Sequence, residues 1–316
     1  MGFSNLRGIR QVTALLLAIG TLSTFQQAIA ATTRGFIAHA VPPVTSSEAN
    51  QTAIDLNGDG VPENRLGVLF AALATTGFDA GAAVNSGEVV YLLRVTSNDA
   101  NFQTDAAARA EWIVGEPTAP IPPDFSGNGS FLIDPAYLPG VFIAPLASTN
   151  FGSADPVTTT TPVDVPLSLV LGGALVVPLH GARLAFTVVP GGLTQGQING
   201  SIRQEDVQEI IIPGIANLLN QIVAGGGANA SSVLAIFDTG CNGVGAGDGV
   251  IALCEVQGNA VLGSLLAPDI DIYASDGSYA PNPVNANPDS LSFGMRFTAA
   301  NAQVPIDDVI YADSFE

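Results

Sequence analysis

The chain has 316 residues, 9 basic against 28 acidic, and a formal net charge of −19. Every basic residue is Arg and none cluster, which argues against nucleic-acid and anionic-lipid partners, since both are held mainly by grouped cations. Two His and two Cys leave too little for a multi-His zinc site, an iron–sulfur cluster or a haem-attachment motif.

Residues 1–30 read as a secretory signal peptide. Arg7 and Arg10 form the charged start, an apolar run follows from Val12 to Ile19, and Ala28-Ile29-Ala30 supplies a small-x-small cleavage site. The apolar run is shorter than the roughly 20 residues that span a bilayer. Cleavage near Ala30 would place the mature chain in the periplasm, on the cell envelope or outside the cell, with no integral membrane segment. A composition 47% hydrophobic and 12% charged, with 35 Gly and 21 Pro, predicts a core-rich chain of short strands and many turns.

In chain order, 35–41 is expected to be a strand. An acidic loop at 55–64 leads into a helix over 66–73, where Leu66, Leu69, Phe70 and Leu73 share one face. A short helix is expected near 79–84, then a β-branched and aromatic strand at 89–95. These elements make 31–120 an N-terminal α+β segment. The stretch 121–300 reads as a β-rich core with C-terminal helices, and 301–316 as a tail. Within the core, strands are expected at 129–133, 141–145, 182–189 and 195–202, with 155–161 an exposed loop. The apolar stretch 165–179 contains Pro166 and Pro178 and is split by Gly172-Gly173, so it reads as two strands around a turn, not as a membrane span.

Helix returns at Gln204, where Val207, Ile210, Ile211, Ile215, Leu218 and Ile222 form a one-face stripe. Pro213 is expected to kink or divide it, and Gly225-Gly226-Gly227 to end it. A second helical region is expected over 250–266, with closing strands at 270–273 and 291–298. The fold class is therefore α+β: an antiparallel, sandwich-like β-sheet core whose helical segments carry EF-hand-like calcium loops.

The most informative segment is Asp55-Leu56-Asn57-Gly58-Asp59-Gly60-Val61-Pro62-Glu63-Asn64. Oxygen-bearing side chains at alternate positions, then Gly, are the ligand pattern of a calcium loop. Alternate side chains in a tight loop converge on one centre. Asp55, Asn57, Asp59, the Val61 carbonyl and Glu63 are the candidate ligands. Leu66 stands where the usual bidentate Glu would be, so the loop is incomplete, and a polar Asn-Gly/Asp-Gly turn is the alternative. A second candidate spans 238–255, where Asp248-Gly249-Val250 and Glu255 match the later half of such a loop. With 243–247 as an insertion, Asp238 and Asn242 supply the missing oxygens beside Asp248, the Val250 carbonyl and Glu255. Cys241 and Cys254 bracket this segment, and in an exported protein two cysteines most simply form one disulfide. Calcium in a structural role is the cofactor these features imply.

Several motifs occur in a fixed order: Asp55-x-Asn57-Gly58-Asp59-Gly60, Asn64-x-Leu66-Gly67, Gly196-x-Ile198-x-Gly200, Ile211-Ile212-Pro213, Asp248-Gly249-x-Ile251 with Glu255, Leu265-Leu266-Ala267-Pro268-Asp269 and Asp289-Ser290-Leu291-Ser292-x-Gly294. In these the chain resembles a group of secreted bacterial proteins with Asp-x-Asn-Gly-Asp-Gly loops. The resemblance covers most of 50–300 and implies neither an activity nor catalytic residues. The final Asp308 to Glu316 is similar to short acidic–aromatic tails of exported gammaproteobacterial proteins, which suggests a sorting or retention tag; an ordinary frayed terminus is the alternative.

Hydrolytic chemistry has weaker support. Ile236-Phe237-Asp238-Thr239-Gly240 matches the aspartic-protease tripeptide, but a second copy is missing and such enzymes need two aspartates. His39 and His180 read as surface or edge residues. Asp124, Asp134, Asp155 and Asp164 are available for a glycosidase pair, and Trp112 for either a sugar platform or the core. The expectation is an exported, calcium-stabilised structural or binding protein with a cell-surface or extracellular partner; the alternative is a secreted hydrolase with a carboxylate-based site.

Overall fold

The computed structural model describes residues 31–305 except 43–47, 49, 50, 52, 75–78, 154, 242 and 244. Residues 1–30, read above as a signal peptide, the tail beyond 305 and Asn242 lie outside the described residues.

Strand β1 (Thr32–Ala40) is followed by helices α1 (Arg65–Ala74) and α2 (Ala80–Ser86). Then come β2 (Val90–Ser97), β3 (Arg109–Gly115), β4 (Gly140–Ile143), β5 (Val157–Thr158), β6 (Val163–Val170), β7 (Ala174–Val189) and β8 (Gly192–Arg203). Helices α3 (Gln204–Gly225), α4 (Gly227–Phe237), α5 (Leu253–Gly258) and α6 (Ala260–Leu265) precede the last strand, β9 (Ser290–Ala302).

The strands form one antiparallel sheet in the order β4-β3-β2-β1-β9-β8-β7-β5, with β6 paired to β7. Because β1 lies between β2 and β9, residues from both sides of position 120 share this sheet. The α+β class and the antiparallel sheet are as the sequence predicts; the two stacked layers of a sandwich are not. The sheet instead curls into a half-barrel, and β6 comes over β2 and β3. Trp112 Nε1 donates to the Pro166 carbonyl at 3.1 Å, and the Tyr91 hydroxyl donates to the Ser168 carbonyl.

The reason lies in β7. Its two halves read as separate strands in the sequence, but they form a single strand of 16 residues that bends at an irregularity between His180 and Arg183. Such irregularities sharpen the local twist. The first half pairs with β6 and the second with β8 and β5, so one strand turns the corner that a sandwich would make with a loop.

Alternation along each strand sends Phe36, Tyr91, Leu93, Trp112 and Phe297 to the inner face, where Trp112 lies 5.0 Å from Tyr91 and 5.6 Å from Phe297 between ring centroids. Ile37, Val90, Leu92 and Ile113 face the other way and are covered by Phe131, with Phe125 and Ile133 packed beside it. The expected strands at 129–133 and 270–273 reduce to isolated bridges, since the first of these segments serves as that cover. The expected loop at 155–161 contributes the short strand β5.

Helix α3 runs on through Pro213 without breaking. Val207–Ile211 is wound as a π-helical turn, and the Ile212 N–H reaches the Val207 carbonyl, so the missing proline N–H falls where the register has already shifted. Although α3 is long and apolar enough to cross a membrane, Val207, Ile211, Ile215 and Leu219 are buried in the core and Glu205, Asp206 and Glu209 occupy its start. Gly172, at φ +68°, turns the β6–β7 hairpin directly beneath α3. A Cβ there would lie 2.3 Å from the Leu218 nitrogen, so only glycine allows this contact.

Candidate metal centre

In the first acidic loop the side chains organise their own backbone. Asp55 accepts from the N–H groups of Gly58 at 2.6 Å and Gly60 at 2.8 Å; Asn57 accepts from Asp59 N at 3.1 Å, and Asp59 from Val61 N at 2.7 Å. Gly58 and Gly60 both sit at φ +87°, the left-handed region that lets the loop wrap around Asp55. As a result one oxygen each from Asp55, Asp59 and Glu63 lie within 4.8 Å of one another. Among the described residues this is the one group of three metal-ligating side chains that converge so closely.

The electrostatics of this convergence are unfavourable without a counter-charge. Glu63 Oε2 is buried and has no hydrogen-bond partner. Burial, followed by the charges of Asp59, Asp55 and Asp269, pushes the Glu63 carboxyl up to about 7 from an ordinary 4.5. A cavity of about 430 Å³ adjoins it, walled by Glu63, Asp269 and Asn285. Asn285 Oδ1, also buried and unpartnered, is among these groups. Asp269 is held by the Ser292 N–H at 2.8 Å and hydroxyl at 2.5 Å, with Arg65 Nε at 3.9 Å; burial pushes its carboxyl up as well.

The loop is anchored at its end by Asn64. Its Oδ1 accepts from Gly67 N, capping α1, and from Gly294 N in β9, while its Nδ2 returns a bond to the Gly294 carbonyl. A Cβ on Gly67 would strike Asn64 at 2.5 Å, which gives the Asn64-x-x-Gly67 spacing its physical cause. The exposed Val61 has its N–H taken by Asp59.

The second acidic loop is built differently. It lies between α4 and α5 and closes on Asp238, which accepts from Gly247 N at 2.6 Å, Gly249 N at 2.8 Å and Asp248 N at 3.3 Å. These bonds hold the Asp238 carboxyl below its ordinary range. Asp248 accepts from Val250 N, whose side chain is exposed. Glu255 is buried and spends Oε1 on Gly240 N and Oε2 on Ala252 N. The carboxylates here serve backbone N–H groups and are not gathered into a cluster of three. Cys241 and Cys254 form the expected disulfide, with 6.0 Å between their Cα atoms. Alkylation under denaturing, non-reducing conditions is therefore expected to add no mass to the chain; stoichiometric labelling would remove the bridge.

Other candidate residues fall as follows. Trp112 is fully buried, so it is a core residue and not a sugar platform. His180, expected at the surface or an edge, is largely enclosed: Nδ1 lies 3.0 Å from Asp164 and Nε2 3.7 Å from Asp206, and the first contact holds the Asp164 carboxyl below its ordinary range. Tyr273 stands edge-on to the His180 ring, 5.9 Å between centroids, so a segment distant in sequence helps to enclose it, and strand alternation alone gives no sign of this. His39 Nε2 lies 3.4 Å from the Thr298 hydroxyl. Asp124 and Asp134 accept from N–H groups of their own turns.

Fold and site together define a curled antiparallel half-barrel with an acidic loop feeding its first helix. Comparison with protein-family models, curated proteins and solved structures yields no match.

Proposed function

We propose that the chain is an exported, calcium-braced protein of the cell envelope or extracellular space, with a structural or ligand-binding role, kin to the secreted bacterial group its motifs resemble. One observation carries the calcium reading: Asp55, Asp59 and Glu63 converge within 4.8 Å, and Glu63 has a buried oxygen without a partner. The available donors are all oxygens, which suits a hard divalent cation better than zinc or copper. Asp55, Asp59 and Glu63 would hold the ion, with Asn57 and the Val61 carbonyl as further candidates. Its chemistry there is charge neutralisation, and the loop it closes runs straight into α1. The second loop has the Cys241–Cys254 bridge and its own backbone bonds, so the reading rests on the first loop. The apolar run and cleavage pattern of residues 1–30, together with the disulfide, support export.

Thermal scans in calcium and in EDTA test the reading. At tenfold excess over its dissociation constant the ion would add about 1.4 kcal/mol, a rise in Tm of roughly 2–3 °C for a domain this size. Asp59→Ala should remove most of that rise. Superimposable scans of the unaltered protein would overturn the calcium reading.

A further inference from the structure

Between the inner face of the half-barrel and helices α1 and α2 lies a cavity of about 420 Å³. The space is partly open to solvent, with Asp79 exposed, and its depth has a cause in the sequence. The cause is in the side chains: where core helices usually carry Leu, the lining has Gly67 and Ala74 from α1, Ala80 and Ala83 from α2, and Gly294 from β9. Phe70 from α1 and Phe293 and Met295 from β9 stand around the same space. The volume falls within the range of small-molecule sites, and such sites favour the mouths of β-barrels.

The lining also selects by charge. The Tyr91 hydroxyl is spent on the Ser168 carbonyl, so Tyr91 offers chiefly its ring. Among the described lining residues the one charged group is Asp79, which caps α2 by accepting from Gly81 N and Ala82 N. A carboxylate on an otherwise apolar wall repels an anionic ligand and accepts a hydrogen bond from a neutral donor. We infer that this cavity binds a neutral, largely apolar small molecule whose polar end carries a hydroxyl or a non-basic N–H for Asp79. The inference stands on the cavity and does not require the calcium reading.

Titration of the mature chain with N-phenyl-1-naphthylamine, a neutral apolar fluorophore with one N–H, tests it. A saturable, single-site rise in fluorescence is expected. Ala83→Phe, which fills the cavity from α2, should weaken it about tenfold or more in a variant that remains folded. Met295→Trp fills the same space from the sheet and covers the case in which the first variant fails to fold. The anionic analogue 8-anilinonaphthalene-1-sulfonate should bind about tenfold more weakly, and Asp79→Asn, which keeps the cap, should narrow that gap. Running the titration in calcium and in EDTA separates the two readings: binding in either condition upholds the cavity. The inference is overturned by no saturable signal in both conditions, or by a signal that survives both filling variants while they remain folded.

Discussion

Replacing Arg94 by Met is expected to destabilise the fold by about 3–5 kcal/mol, the cost of breaking a buried ion pair from one side. Arg94 in β2 stands directly opposite Glu111 in β3, and both are at most 5% exposed. Arg94 donates to Glu111 Oε2 through Nε and lies as close through Nη2, while Nη1 donates to the Pro305 carbonyl. The pair sits on the outer face of the sheet, alongside Leu92 and Ile113, where the segment following β9 closes over it. Methionine keeps most of the aliphatic volume, so the loss would come from leaving the Glu111 charge buried without its cation. The double variant Arg94→Met/Glu111→Leu removes both charges and should recover most of the loss, because the same site can then be filled by apolar groups. Urea unfolding of wild type, both single variants and the double variant measures this. Equal destabilisation of the double and single variants would mean that the pair matters through packing alone.

That pair also shows where sequence pattern stops informing. The strand at 89–95 is legible because Val89, Val90, Tyr91, Leu92, Leu93 and Val95 surround a single Arg, and the structure places β2 there. Its partner β3 is not legible: Arg109 and Glu111 interrupt its apolar pattern, and only the cross-strand Arg94 makes a buried Glu111 affordable. Helix α4 is hidden for another reason. It begins at Gly227 and continues through Ala-Asn-Ala-Ser-Ser, with no apolar stripe in its first half, so the glycine run reads as a stop. Helices α1 and α2 are legible from the Leu66, Leu69 and Leu73 stripe and from Asp79, which is the N-cap. In the first acidic loop, Asp55, Asp59 and Glu63, three of the five candidate ligands, lie together because a short loop with Gly58 and Gly60 has few ways to fold. In the second loop the same residue types had another outlet. Gly247 and Gly249 offer their N–H groups to Asp238, and Glu255 sits where it can bond Gly240 and Ala252. Spacing specifies which carboxylates can meet; which backbone donors compete for them depends on the fold.

Calcium affinity is expected to fall about thirtyfold between pH 8 and pH 5.5, as one proton competes with the ion for a carboxyl titrating near 7. The group is Glu63, raised by burial and by Asp59, Asp55 and Asp269. In the metal-free protein its folded value lies above the ordinary 4.5, so folding takes up a proton between these limits. The stability this contributes is complete below about pH 4.5 and is lost as pH rises through about 7. Calcium would act in the opposite direction, favouring the deprotonated carboxylate, so its stabilisation should be largest at pH 8 and shrink on acidification. The separation between EDTA and calcium melting curves should therefore close from the alkaline side. Glu63→Gln, a neutral isostere of the protonated acid, should remove this group's pH dependence from the metal-free protein. At pH 8 it should bind calcium no more tightly than the unaltered protein does at pH 5.5. Isothermal titration at both pH values provides the check, and an affinity that does not change across the interval would take Glu63 out of the coordination sphere.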